Sequence, residues 1–356
     1  MRLSPRASLG EYADQWDDLV RQLPIATPFL RTWWLNGLRN TRTVFVLVTD
    51  RRTLLGGLAL EIATSGVLER IGFLGEALAP DHLDLLVRDG KEQEVYDALR
   101  AWFSREGSRL IDLKGVAETN SLTEVLPAPV HSTDMAIAPF THLEGNYGDY
   151  LAKHVGGRKS MKDSLRRLRR EAVLSYRLVQ PELGTVALAT LRQLHEDVWG
   201  TKSGFLPNFD AFTRSAVAGI HSGELRIHEL LANDRVIASQ VMFQFAGRTS
   251  HYQGGRDTDP RWSGSGTVLM AHVIEAAYRE GLRELDCLRG DSDYKRHWAT
   301  NQRQLLRLRA AHGRIASARL SAELRVERTR RRVGRLIRPL RRRIGGVRSG
   351  LTSRVH

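Results

Sequence analysis

Cysteine occurs once in 356 residues, at Cys287. A single thiol excludes an internal disulfide framework and any thiolate-rich zinc site, and points to a reducing compartment, the cytoplasm. Long apolar runs are missing too: none approaches the roughly 20 residues that span a bilayer. The opening MRLSPRASLGEYADQW has no apolar core of a secretory signal. Charge is unevenly distributed along the chain. From Arg314 onward there are 14 arginines against Glu323 and Glu327, so nearly all of the net charge of +14 sits there and residues 1–313 carry about +2. That segment lacks interleaved aromatics and any recognised reader motif, which argues against nucleic acid as its partner. It does have Leu320, Leu324, Val333, Leu336, Ile337, Leu340 and Ile344 near helical spacing, interrupted by Pro339. Basic amphipathic helices of this kind lie on anionic membrane surfaces; the alternative is a solvated, unstructured tail.

The rest is ordinary soluble globular material, 42% hydrophobic and 26% charged over the whole chain, long enough for two domains. After an opening helical region come three β-rich runs, TVFVLVTD, TLLGGLALEIA and VLERIGFLG. LDLLV, a helical pattern over KEQEVYDALRAWFSREG and a strand RLIDLKG follow. Residues 146–172 read as a long basic helical stretch interrupted at Gly156-Gly157, with two more helices around VALATLRQLHEDVWG and FDAFTRSAVAGIHSG. Then the early order returns: ELRIHELLAN, RVIASQVMFQFAG and TSHYQGGRD as strands, GTVLMAHVIEAAYREG as a helix, LRELDCL as a strand. The pattern predicts an α/β (α+β) protein of two tandem units, each a mixed sheet flanked by helices. The expected divisions are 1–145, 146–313 and a tail 314–356.

The second unit carries a feature that the first lacks. In RWSGSGTVLM, two glycines lie at the mouth of a helix. Glycines in loops mostly serve turns. At a helix start, however, the first amides lack acceptors and the macrodipole is positive, so a tight glycine turn lets phosphate oxygens approach.

Arg261, Ser263, Gly264, Ser265 and Gly266 fit the Arg/Gln-x-x-Gly-x-Gly turn of GNAT N-acyltransferases. The stretch from HYQGGRD to DSDYKRHWA resembles the second half of bacterial double-GNAT proteins, the FemAB-like family and the CelD-type acetyltransferases associated with polysaccharide operons. Tyr294-Lys295-Arg-His-Trp298 matches their late Tyr-Lys-x-x-Trp, and Trp16, Thr27-Pro28-Phe29, Trp33, Trp199 and Lys202 are similar to other positions in them. The likeness spans about residues 10–312. It implies acyl-CoA (acetyl-CoA) as co-substrate without a metal, held at its pyrophosphate by the turn from Arg261 to Thr267. The acceptor implied is an amine or hydroxyl, such as a cell-envelope or exopolysaccharide precursor. The alternatives are an aminoacyl-tRNA-dependent transferase acting on a peptidoglycan precursor and a non-catalytic binding module.

Acyl transfer from a thioester needs a proton acceptor, an oxyanion donor and an acid for the thiolate. His251 titrates near neutrality and is a candidate base, or else a histidine satisfied by its sheet neighbours. The glutamate common near this strand in GNAT enzymes is missing. Strict alternation puts His251 and Gln253 on one face and Tyr252 on the other. The resemblance implies Tyr294 as the thiolate's acid, the alternative being a tyrosine that anchors its helix in the core, and Lys202, Gln253, Lys295 and Trp298 as substrate contacts. Asp286, at the carboxyl end of its strand, is expected to orient the acceptor or pair with Lys295 or Arg289. Asp291 and Asp293 read as helix caps, and Cys287 as a buried hydrophobe. Arg158 heads a basic stretch, either a solvated face or a grip on a phosphorylated ligand.

Overall fold

In the computed structural model, which describes residues 1–330, the β-type runs join into one sheet. The strands are β1 (Arg2–Arg6), β2 (Thr43–Asp50), β3 (Thr53–Ser65), β4 (Leu68–Phe73), β5 (Leu86–Val87), β6 (Ser108–Ala117) and β7 (His131–His142) in the first half. The second half has β8 (Leu174–Leu178), β9 (Leu225–Ala232), β10 (Arg235–Phe245), β11 (Arg248–Arg256), β12 (Glu284–Asp286) and β13 (Asn301–His312). The helices are α1 (Ala13–Gln22), α2 (Thr32–Leu38), α3 (Glu92–Phe103), α4 (Tyr147–Lys153), α5 (Val155–Glu171), α6 (Gly184–Trp199), α7 (Phe209–His221), α8 (Ser265–Arg279), α9 (Asp293–Arg296) and α10 (314–330).

The internal repetition is visible in the topology. Antiparallel β2-β3-β4 and β9-β10-β11 are each followed by a crossover helix, α3 or α8, into a parallel neighbour, β6 or β12. The last strand of each half then crosses over. β7 pairs with β12, β13 pairs with β6, and the two run antiparallel to each other in the middle. The order is β1-β2-β3-β4-β6-β13-β7-β12-β11-β10-β9-β8, so two expected sheets are one continuous sheet. Neither β7 nor β13 shows apolar alternation: HSTDMAIAPFTH and NQRQLLRLRAAH are polar on much of both faces.

Apolar strands such as β2 are buried on both faces because helices cover both. The largest core cluster reaches from Trp16, Phe29 and Trp34 in the first half to Phe205, Phe212 and Phe243 in the second. The basic stretch breaks at His154 rather than at the glycine pair: α4 opens with an Asn146–Asp149 capping box and ends there. Gly157 is buried within α5 against Trp298, where a side chain would clash, so this glycine serves packing.

The basic tail also differs from expectation. Ala316 and Leu320 of α10 are buried against Leu110, with Leu324 beside them, so these apolar residues face the body and not a surface. Glu323 pairs with Arg70, and Glu327 takes Arg309 through two bonds of 2.8 and 2.9 Å. Val333, Leu336, Ile337, Pro339, Leu340 and Ile344 lie outside the described residues.

Candidate active site

A cavity of about 620 Å³ opens where β11 departs from regular pairing. Val241 of β10 faces Gln253 and Met242 faces His251, which leaves Tyr252 as an extra residue. A bulge re-aims side chains. The expected alternation is lost, and His251, Tyr252 and Gln253 all line the cavity. The Tyr252 hydroxyl donates to the Leu78 carbonyl (2.8 Å), tying the bulge to the first half.

The glycine turn stands at one side. Asp259 caps it by accepting from the Arg261 amide (2.9 Å). Gly264 sits at φ +86°, a left-handed position directly before α8, and a Cβ there would overlap Ser164 of α5. Gly266, one residue inside the helix, faces the cavity with no atom within 4 Å of where a Cβ would stand. The other predicted turn residues are less available. Arg261 is exposed, bound to Asp259 (2.6 Å) and stacked over Trp262, outside the cavity lining. The Ser263 carbonyl accepts from Arg167 of α5 (2.5 Å). Ser265 is buried, and the Thr267 amide donates to Gly264 (3.0 Å). The amides of Ser265 and Gly266 are the first-turn donors without an intrahelical acceptor.

Facing the turn, the Tyr294 hydroxyl donates to the Gly266 carbonyl (3.1 Å) and accepts from Gln240 Nε2 (3.1 Å). Burial pushes the phenol pKa up, so the group is protonated across the physiological range. Burial, with Lys295 nearby, pushes His251 down to about 3, leaving a neutral imidazole and a weak base. Lys295 donates to the carbonyls of Leu288 (3.2 Å) and Arg289 (2.5 Å), and burial lowers its pKa. Lys202 is exposed at the mouth beside the half-exposed Trp199.

Asp286, Trp298 and Arg158 are not in the cavity lining. Asp286 is fully buried and pairs with His82 of the first half (2.8 Å), not with Lys295 or Arg289. Burial works to raise its pKa, but His82 and Arg248 hold it down to about 2. Trp298 is core, its carbonyl accepting from Tyr150 (2.7 Å). Arg158 lies on α5, partly buried. The cap of α9 is Ser292; Asp291 and Asp293 instead bind Arg296. Cys287 is buried, and its thiol is pushed up to about 12, which suits a packing role.

Sequence reasoning placed the chemistry mainly in the second half, yet residues 77–81 form a wall. Asp81 is 1% exposed and bound by the Arg289 Nε (2.6 Å) and amide (2.7 Å). Ala79, His82 and Leu288, none of them glycine, all have positive φ here (53°, 59° and 52°). Such backbone costs about 1–3 kcal/mol per residue and concentrates at functional sites. His195 was missed as well. Its Nδ1 donates to the Gly254 carbonyl (2.9 Å) and its Nε2 accepts from Ser203 (2.9 Å), pinning the loop at the mouth to β11. The available signals were polar residues inside apolar runs, Asp81-His82 before LDLLV and Gln240 in the middle of β10.

Residues 156–296, a span that takes in the second-half lining of the cavity, match a family model described as "Acetyltransferase (GNAT) domain". No curated protein sequence matches significantly. Solved structures share the fold at low identity. FemX is 11% identical with a TM-score of 0.61, covering 86% of this chain and 97% of its own. A conserved protein of unknown function from Bacteroides thetaiotaomicron is 10% identical with a TM-score of 0.61, covering 87% and 100%. L-PGS from Bacillus licheniformis is 12% identical with a TM-score of 0.52, covering 85% and 91%. Among the described residues no group of acids, histidines or cysteines is arranged to hold a metal, and no helix is long and apolar enough to cross a membrane.

Proposed function

We propose that the chain is an acyltransferase that moves an acyl group, acetyl in the simplest case, from acyl-CoA to an amine or hydroxyl acceptor such as a cell-envelope glycan precursor. The observation that carries this reading is the left-handed Gly264 turn, which starts α8 so that Gly266 faces the cavity next to the Tyr294 phenol. Diphosphate oxygens suit the amides of Ser265 and Gly266. In this reading the thioester lies along the bulged β11, Tyr294 protonates the departing sulfur, and Lys202 and Trp199 meet the acceptor at the mouth. Acetyl-CoA at about 100 times its Kd should add ~2.7 kcal/mol of stability in a thermal-shift assay. Stabilisation by an aminoacyl-tRNA mimic and not by acetyl-CoA would transfer the reading to an aminoacyl donor. Tyr294→Phe should lower turnover far more than CoA affinity, as loss of a proton donor does. Unchanged turnover would assign the proton to water or another group.

The reading extends to location. Residues 331–356 contain nine arginines and no acid. Each basic residue close to an anionic leaflet is worth about 1 kcal/mol, a salt-sensitive attraction. A chain ending at residue 330 keeps α10 docked and should lose co-sedimentation with anionic liposomes at low salt while still binding acetyl-CoA. Equal sedimentation of the two chains, or equal binding to neutral vesicles, would show that the tail is no membrane contact.

A further inference from the structure

Gln240 is only half satisfied. It is 4% exposed in the middle of β10, and its Nε2 donates to both the Gly266 carbonyl and the Tyr294 hydroxyl at 3.1 Å. A carbonyl only accepts, so the Gly266 contact decides which end of the amide is nitrogen. Oε1 is thereby left buried and without a partner. A buried acceptor is retained without a partner at a cost, and the two N–H bonds of the same amide hold it there against that cost.

The position of the Tyr294 proton supplies the second half of the case. The hydroxyl donates to the same Gly266 carbonyl, which also faces the α8 amide four residues on. With three donors converging on one oxygen, the phenol proton turns elsewhere at little cost. The Gln240 N–H stays on the phenol oxygen, and that bond opposes the burial that raises the phenol's pKa.

We propose that Gln240 is a positioning residue for Tyr294: its Nε2 holds the phenol and stabilises the oxygen as the proton leaves. The inference rests on the acyltransfer reading. In the step served, the acceptor's lone pair bonds to the thioester carbon, the C–S bond breaks with its electron pair on sulfur, and the phenol proton passes to that sulfur. The acceptor's own proton goes to solvent, from which the phenolate is reprotonated.

Two variants test this, with thiol release from acetyl-CoA (water as acceptor) and calorimetric CoA affinity as readouts. Gln240→Met keeps length and volume but neither donates nor accepts through an amide. It should lower kcat about tenfold or more with only about a threefold change in CoA affinity, and add little further loss on a Tyr294→Phe background. Gln240→Glu loses the donor when ionised and regains one when protonated, and burial raises a carboxyl pKa. Its rate relative to wild type should therefore climb as the pH falls from about 8 to about 6, a recovery that a purely structural role does not produce. If Gln240→Met fails to fold, this profile decides alone. An unchanged kcat in Gln240→Met, fully multiplicative losses with Tyr294→Phe, or a Gln240→Glu profile parallel to wild type overturns the inference while leaving the acyltransfer reading intact. A wild type that neither binds nor cleaves acetyl-CoA removes both.

Discussion

Gly266→Val is expected to abolish CoA binding and leave the fold standing, whereas Gly264→Ala is expected to damage the fold. The two glycines are neighbours in the motif and differ in what surrounds them. Gly266 has helical backbone, and a Cβ there meets nothing within 4 Å. Valine is tolerated better than glycine inside a helix by a few tenths of a kcal/mol. Its two methyls, however, stand in the space through which phosphate oxygens would reach the first-turn amides. At Gly264 the backbone is left-handed and the Cβ would strike Ser164, so even alanine forces α5 away from the turn. Calorimetry with CoA, paired with urea unfolding, separates the outcomes. If Gly266→Val binds CoA as tightly as wild type, the turn is only a turn and the donor reading fails.

The second large effect concerns α10. Ending the chain at residue 313 should destabilise the body, and Glu327→Ala alone should cost about 1–3 kcal/mol, because the partly exposed carboxylate satisfies a buried guanidinium. Arg309 is 1% exposed, and Glu327 contributes two of the bonds that satisfy its guanidinium. The shorter chain also uncovers Leu110 where Leu320 packed. Against a total stability of about 5–15 kcal/mol, either change should move the urea midpoint visibly. A chain ending at 313 with the wild-type midpoint would mean that α10 contributes nothing to the body. The practical consequence is that tail deletions made to test membrane contact have to begin after residue 330.

Much of this architecture was legible in the sequence, because the informative strands are apolar and bounded by turns. TVFVLVTD, TLLGGLALEIA, ELRIHELLAN and RVIASQVMFQFAG are strands within a residue or two of their expected limits. β7 and β13 were not legible, since their stability comes from pairing with each other and with β6 and β12, contacts that leave no local period. The site divides in the same way. The glycine turn announced itself through backbone geometry, and Tyr294, His251, Gln253, Lys202 and Lys295 do meet in one cavity. Asp286 failed because its partner, His82, lies 204 positions away in sequence. Asp81 and Gln240 are polar residues beside or within apolar runs, and nothing local marks out what they do. Their roles exist only once the two halves are folded together.

The crossing of β7 and β13 has a consequence for descent. A repeat whose halves each complete their own sheet is modular: either half can be lost, replaced or fused elsewhere. Here each half holds the closing strand of the other, so the pair resembles two swapped subunits joined into one chain. The first half lacks a glycine turn of its own, yet it cannot be discarded as dead weight, because removing it would take away a neighbour of β12 and one wall of the cavity. Selection on the chemistry of the second half therefore acts on the first half as well, and the two must change in step.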